Sequence, residues 1–459
     1  MSTPGPGSVG RAAREATPHA AHAEWAVSDS RRVPVEWLEV QAQTRIPELV
    51  PIRHGRMLVS PFTYYRGAAL SMAADLASTP ASGLTVQLCG DAHLSNFGIF
   101  GTPERHLIFD VNDFDETTPG PWEWDVKRLA ASLEIAARDN EFARKDRTRI
   151  VRRAIRSYRE AMREFARMPT LDVWYARLDI ETLMPRFQSL LDQERTPSVW
   201  RAINKARAHD SLQAFSKLCD VGDGEPRFIS DPPLITPVED LVAGVEHALV
   251  MESLERMVES YGESLDTHRR CLLQRYRLVH LARKVVGVGS VGTDAWIALM
   301  LDRDLGSPLL LQVKQAEASV REQFTAPSVF TNHGHRVVAG QRLMQAESDI
   351  FLGWKRSKWA GSERDYYIRQ LRDWKGSADI RGMTVAGMEL WGQMCGWTLA
   401  RAHARSGDRI AIAAYLGKSD GFDRAVTAFA QAYADQNERD FDVLRDAVDA
   451  GRLLATMGL

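Results

Sequence analysis

Gly90-Asp91-Ala92-His93-Leu94-Ser95-Asn96, followed by Asp110-Val111-Asn112-Asp113-Phe114-Asp115-Glu116, decides how this chain is read. The first run comes after a short apolar strand, Leu84 to Cys89, which Gly90 ends. Between the two runs lie the strand-like NFGIF and HLIFDV, joined by the turn-forming Gly101-Thr102-Pro103-Glu104. Phosphoryl transfer from ATP needs a carboxylate to receive or orient the acceptor's hydroxyl proton. It also needs oxygen ligands that hold Mg²⁺ against the phosphates. Asp91 suits the first task and Asn96 the second, and an acidic residue after the hairpin completes the metal site. Asp113 is preferred; Asp110, 14 residues after Asn96, is the alternative. His93 either braces this loop or is a structural histidine. Each residue alone is an ordinary turn former; the ordered set is what points to chemistry.

Further along, Gly287-Val288-Gly289-Ser290-Val291-Gly292 leads into DAWIALML, a turn, and LLLQVK ending in Lys314. Glycines let backbone amides approach phosphates, and a lysine on a strand pairs with them. Dinucleotide folds use the same letters to open a helix, but DAWIALML reads as a strand and predicts a glycine-rich hairpin. Lys314 stands out because only 10 of the 58 basic residues are lysines. An edge-strand solubilising charge is the bland alternative. The glutamate that should orient Lys314 is assigned to Glu347 on a helix expected over 336–348, with Glu317 and Glu322 competing and Gln341 nearer that helix's centre.

GDAHLSN resembles the HGDxHxxN catalytic loop of aminoglycoside phosphotransferases and other kinase-like enzymes, with Cys89 in place of the first histidine. NDFDE resembles their metal-binding segment. RGAALSMAADLA, QLCGDAHLSNFG, FDVNDFDETTPGPWEWDVKRLAAS, YYIRQLRDWKGS, LARAHARSGD and FAQAYADQNERD are similar to the DUF2252 family, an uncharacterised bacterial group, over about residues 45–445. That resemblance implies a kinase-like fold of unassigned substrate. One departure matters: the glycine loop and Lys314 follow the catalytic loop instead of preceding it. LARAHARSGD, with His403, is similar to the helix that normally comes before the loop, yet lies near the C-terminus. A circular permutation accounts for both. The expected fold is therefore α+β and bilobal, protein-kinase-like and circularly permuted, with a large mainly helical lobe and a smaller antiparallel β-rich nucleotide lobe.

The boundaries follow. Residues 1–30, rich in Ala, Gly, Pro and Ser, read as a flexible tail; 31–280 as the helical lobe with the catalytic loop and metal-binding hairpin. Residues 281–375 form the nucleotide lobe, and 376–459 return to the helical lobe. Most of 172–275 reads as helix, and Phe62 to Leu76 as one helix with Arg66 near its start. Arg66 suits an ion pair better than a phosphate contact, and Asp125 suits a helix cap or anchor. The net charge of -2 on 459 residues excludes a general nucleic-acid-binding surface. Four scattered cysteines exclude a disulfide framework or thiolate zinc site, and no run approaches the ~20 apolar residues of a membrane span. The expectation is a cytoplasmic ATP- and Mg²⁺-dependent phosphotransferase acting on an unidentified hydroxyl, without a nucleic-acid or membrane partner. A nucleotide-binding pseudokinase and an AMP-transferring enzyme are the alternatives. A metal phosphoesterase, suggested by Asn332-His333-Gly334-His335, is the weakest.

Overall fold

The computed structural model describes residues 5–182, 211–222, 224–241, 252, 255–359, 362–371, 374, 376 and 378–459. The fold is mixed α+β with an antiparallel sheet. Helices α1 (Pro6–Ala16), α2 (Pro34–Ala42), α3 (Val50–Met57), α4 (Pro61–Gly67) and α5 (Ala69–Ala77) lead to strand β1 (Thr85–Leu88). The hairpin β2 (Phe97–Gly101) and β3 (Leu107–Val111) follows, then β4 (Thr118–Pro121), α6 (Trp122–Asp139) and α7 (Arg144–Phe165). The short strands β5 (Leu178–Asp179), β6 (Cys219–Asp220) and β7 (Arg227–Phe228) come next.

Strands β8 (Ile235–Pro237), β9 (Tyr276–Lys284), β10 (Ala295–Asp302), β11 (Pro308–Ala316), β12 (Gly353–Trp359) and β13 (Ser362–Gln370) build a six-stranded sheet in the order β12-β13-β11-β10-β9-β8. Helix α8 (His333–Met344) lies between β11 and β12 in sequence. Helices α9 (Val385–Ser406), α10 (Arg409–Leu416) and α11 (Gly421–Asp449) close the chain. The strand, glycine loop, strand, turn, strand order of 276–316 is as the sequence predicts, and β12 and β13 pair as an antiparallel hairpin.

Period-two alternation explains why β10 reads as one apolar run. Trp296, Ala298 and Met300 join a cluster on one face with Leu309, Leu311 and Ile368, while Ile297, Leu299 and Leu301 join another with Leu310 and Phe228. A central strand buried on both faces needs apolar residues at every position. The first face is covered by 257–273, including Tyr261 and Leu265. Lys314 and Tyr367 are paired in register and lie on the other face.

The helical body packs around α6, in which Trp122 to Ala137 are all buried. Helices α7 and α9 cross closely where a Cβ on Gly396 would come 2.2 Å from the carbonyl oxygen of Ala154. The N-terminal residues also pack on this body, and here the structure corrects the sequence. Residues 6–24 are not a loose tail: α1 packs on α10, and His22 is fully buried with Nε2 2.6 Å from the Tyr415 hydroxyl. The Ala-, Gly- and Pro-rich composition of this segment resembles that of a loose tail and concealed an amphipathic helix whose face is buried on α10.

Three other expectations shift. The sheet begins at β8 and β9, well before residue 281, so the described part of 172–275 contains strands as well as helix; 183–210 and 242–251 lie outside the described residues. The helix expected over 336–348 runs His333–Met344, started by Asn332 accepting from the His335 amide at 2.9 Å. The helix expected over Phe62–Leu76 is two helices, broken at Ala68.

Gly396→Ala should cost about 1–3 kcal/mol through overpacking, seen as a lower denaturant midpoint. His22 supplies a pH test. Burial, followed by repulsion from Lys127 and His19, pushes its imidazole down to about 3. The unfolded chain therefore takes up a proton near the ordinary value of 6.5 that the folded chain refuses. Stability should fall as pH drops from about 6.5 toward 3, and His22→Gln should flatten that dependence in acid-unfolding curves.

Candidate active site

Strand β1 delivers the chain into the Gly90–Asn96 loop. Gly90 has φ +87°, and a Cβ there would lie 1.9 Å from the Glu116 carbonyl oxygen. Only glycine permits this approach of the loop to the acidic turn. The amides of Cys89 and Gly90 donate to the Asp125 carboxylate at 2.8 and 3.2 Å, and Leu94 N–H donates to Ser132 Oγ at 2.8 Å. Asp125 lies in the first turn of α6, fully buried, with Oδ2 3.4 Å from His403 Nε2; His403 Nδ1 is 2.9 Å from the Tyr158 hydroxyl. Burial pushes the Asp125 carboxyl up, but His403, Arg321 and the Cys89 amide outweigh it and hold it below its usual range. Asp125 is thus the loop's anchor, and α9 braces it from the C-terminal end of the chain.

Asp91 accepts from Arg128 Nε at 2.7 Å. Arg128, on α6, is fully buried; it also donates to the Tyr65 carbonyl at 2.9 Å and lies over the Tyr65 ring at 3.9 Å. Burial opposes its charge, yet Asp91 and Tyr65 hold the guanidinium above its ordinary value. Asp91 keeps 17% side-chain exposure, so one side of its carboxylate faces the cleft. Asn96 Nδ2 donates to the Asp91 carbonyl at 2.8 Å, which leaves its amide oxygen uncommitted to that bond. His93 Nε2 stands 3.6 Å from Asp91 Oδ2, too far for a hydrogen bond. Burial, reinforced by Arg66 and Arg128, pushes the His93 imidazole down to about 3. It is a buried, neutral imidazole that lines the cleft beside Asp91.

The two candidates for the acidic metal ligand separate. Asp110 is 1% exposed, and both of its oxygens accept from Arg401 Nη2 at 2.7 Å and from the amides of Val111 and Ala346. Its carboxylate is saturated by protein, so it is a structural anchor for α9. Asp113 lines the cleft with Asp91 and Asn96.

Lys314 also corrects the sequence. Its Nζ lies 2.6 Å from Asp115 Oδ2, and the Tyr367 hydroxyl donates to Asp115 Oδ1 at 2.5 Å. Burial disfavours the ammonium, but Asp113, Asp115 and Tyr367 hold it well above its ordinary value. Burial likewise raises Asp115, and Lys314, Tyr367 and Arg369 more than reverse this. Glu347 does not fill the partner role. It follows the end of α8 and is half-buried among Glu104, Arg177, Arg405 and Arg269. Glu317 accepts from Thr44 and Gln315, Glu322 caps Ser319 and Ser328, and Gln341 donates to Gln345. The acidic turn itself supplies the carboxylate, because β11 and β13 present their polar ends to it.

Gly287, Gly289 and Ser290 line the opposite wall of one cavity of about 610 Å³ shared with Asp91, His93, Asn96 and Asp113. Ser290 Oγ lies 3.3 Å from Asp115 Oδ2, and Gly292 closes the loop at φ +89°. The loop is tethered from below: Ile46 N–H donates to the Gly292 carbonyl at 2.8 Å, Arg56 Nη1 to that of Gly287 at 2.6 Å, and Arg45 Nη1 to that of Val291. Its carbonyls are taken by the protein, while the amides of Gly289, Ser290 and Gly292 make no hydrogen bond with the described residues. Among the described residues no group of three or more His, Cys, Asp or Glu forms a ready metal cage. Asn96 and Asp113 instead suit Mg²⁺, which binds through one or two protein oxygens plus phosphates.

Arg128, Asp115, Tyr367 and Arg321 escaped notice in the sequence. Asp115 and Tyr367 stand inside runs already conspicuous, DFDE and YYIRQL, whereas nothing local marks Arg128 or Arg321 among so many arginines.

These features define a mixed α+β protein with one acidic, glycine-loop-covered cleft. The chain belongs to the family described as an uncharacterized protein conserved in bacteria, DUF2252, whose model it matches over residues 45–447. No curated protein and no solved structure matches it. No helix among the described residues is long and apolar enough to cross a membrane.

Asp110→Asn should leave Arg401 buried without its counter-charge and lower stability by about 3–5 kcal/mol, read from the unfolding midpoint.

Proposed function

We propose that this chain is an ATP- and Mg²⁺-dependent phosphotransferase with a protein-kinase-like, bilobal and circularly permuted design, acting on a hydroxyl acceptor. The observation that carries the reading is the shared cavity, with Asp91, Asn96 and Asp113 on one wall and the Gly287–Ser290 loop on the other. Lys314 supports it, tied to Asp115 at the base of the same turn. The contact of His403 with Asp125 supports the permuted order, since it brings a late helix against the catalytic loop.

In this reading Asp91, oriented by Arg128, takes or directs the acceptor's hydroxyl proton. Asn96 and Asp113 hold Mg²⁺, which supplies charge neutralisation on the phosphates. The free amides of the glycine loop receive phosphate oxygens, as amides do in such loops. Lys314, kept protonated by its acidic neighbours, adds a fixed positive charge. The same parts serve AMP transfer if ATP lies in the reverse orientation. A regulatory nucleotide-binding module is the second reading, favoured by one contact: the 2.6 Å Lys314–Asp115 pair must open or be shared before the lysine reaches a phosphate. The Asn332–His335 run gives little support to a phosphoesterase, because Asn332 caps α8 and His335 stacks on Trp354 at 4.6 Å.

The test is ATP·Mg²⁺ binding and turnover in the wild type, Asp91→Ala and Lys314→Ala. Asp91→Ala should retain binding and lose about 10²–10⁴ in turnover, the usual worth of a general base. Lys314→Ala should weaken ATP binding about tenfold or more, as loss of a charge-assisted contact does. Binding without turnover across a broad acceptor screen would favour the regulatory module. A wild type that does not bind ATP would overturn both.

A further inference from the structure

The cavity has an arginine side that the phosphotransferase reading leaves unused. Arg45, Arg53 and Arg66, all from the α2–α4 segment, line it together with the acidic turn. Arg53 is 1% exposed; its Nη2 donates to Gln41 Oε1 at 2.8 Å and to the Gly67 carbonyl at 2.9 Å. Among the described residues, its Nε and Nη1 have no partner, and neither does Nε of Arg66. Arg66 makes no hydrogen bond or ion pair with any described residue. Burial disfavours its charge and pulls the guanidinium below its ordinary value, only partly offset by Asp91 and Asp113, which lie outside ion-pairing distance. Its carbonyl oxygen lies 3.4 Å from where a Cβ on Gly289 would be, so this arginine sits under the glycine loop. An ion pair, the expectation for Arg66 from sequence, is not made.

We propose that Arg66, backed by Arg45 and Arg53 and set between Asp91, Asp113 and the glycine loop, is the contact residue of an anion seat that takes phosphate oxygens. A guanidinium offers five donors in a planar fork, and a buried fork left unpaired is costly. Phosphate matches that fork bidentately. The uncommitted amides of Gly289, Ser290 and Gly292 add donors near it. The seat deepens the phosphotransferase reading and rests on it only for the source of the phosphate: the terminal phosphate of the nucleotide, or a phosphate carried by the acceptor.

The probe is inorganic pyrophosphate, titrated calorimetrically into the full chain, wild type, Arg66→Gln and Arg66→Lys, with thermal unfolding as a folding control. The wild type should bind it, and more weakly as salt rises. Arg66→Gln should bind about 10- to 100-fold more weakly, the range expected for lost charge-assisted hydrogen bonds, and Arg66→Lys should fall between. In the wild type, phenylglyoxal should modify Arg66, and pyrophosphate should protect it, an outcome independent of any variant's folding. Competition by saturating ATP·Mg²⁺ assigns the seat to the nucleotide's phosphates; simultaneous binding assigns it to the acceptor. Absence of pyrophosphate binding, or equal affinity in Arg66→Gln with no protection, overturns the seat. ATP turnover that ignores Arg66 would sink the seat alone, whereas Arg66-dependent pyrophosphate binding without ATP binding would sink the phosphotransferase reading alone.

Discussion

The acidic turn after β3 is wedged between the helical body and the sheet, where its backbone has little access to water. Carbonyls in such a place need donors from the protein. They come from the sheet side: Arg369 donates to the Asn112 carbonyl at 3.0 Å, and Arg336 to those of Asp115, Thr117 and Glu317. Arg321 reaches the Gly90 carbonyl, and Lys314 takes the Asp115 carboxylate. The cleft exists because this one segment is held from both sides. Its carboxylates divide between two tasks: Asp115 is held by Lys314 and Glu116 by Ser319 and Val320, while Asp113 lines the cleft.

This requirement accounts for the chain's preference for arginine. A guanidinium serves several carbonyls at once in a fixed plane, which an ammonium on a flexible stem does less well. Arg336 and Arg401 each bridge three or more acceptors on separate elements. Such buried pairs are weak evidence of net stability, because apolar residues of similar volume often do as well. Their value here lies in position. Asp91 is aimed by Arg128, the loop beneath it by Asp125, and neither can turn without exposing an unpaired charge.

Much of this was legible locally. Period-two runs marked β10 and β11, a polar loop before a hairpin marked the Asp91 segment, and glycine spacing marked the loop over the cleft. The partner of Lys314 was not legible, because Asp115 and Glu347 differ in tertiary position and not in letter. Nor was the order of the N-terminal residues, since helix α1 gains its packing from α10, nearly the whole chain away. The choice between Asp110 and Asp113 was open in sequence for a similar reason: alternation along a strand says which face a residue takes, not whether an arginine waits there.

By itself, the sequence determined the main runs of helix and strand, the ordered candidates Asp91, Asn96, Asp110 or Asp113 and Lys314, and membership of a family. Those are consequences of local periodicity and of contiguous letters. Only the tertiary structure decided that Asp110 is neutralised by Arg401, that Asp115 holds Lys314, and that the Arg66 side chain finds no partner among the described residues. Charge satisfaction depends on which side chains meet across hundreds of residues, and no spacing along the chain encodes that meeting.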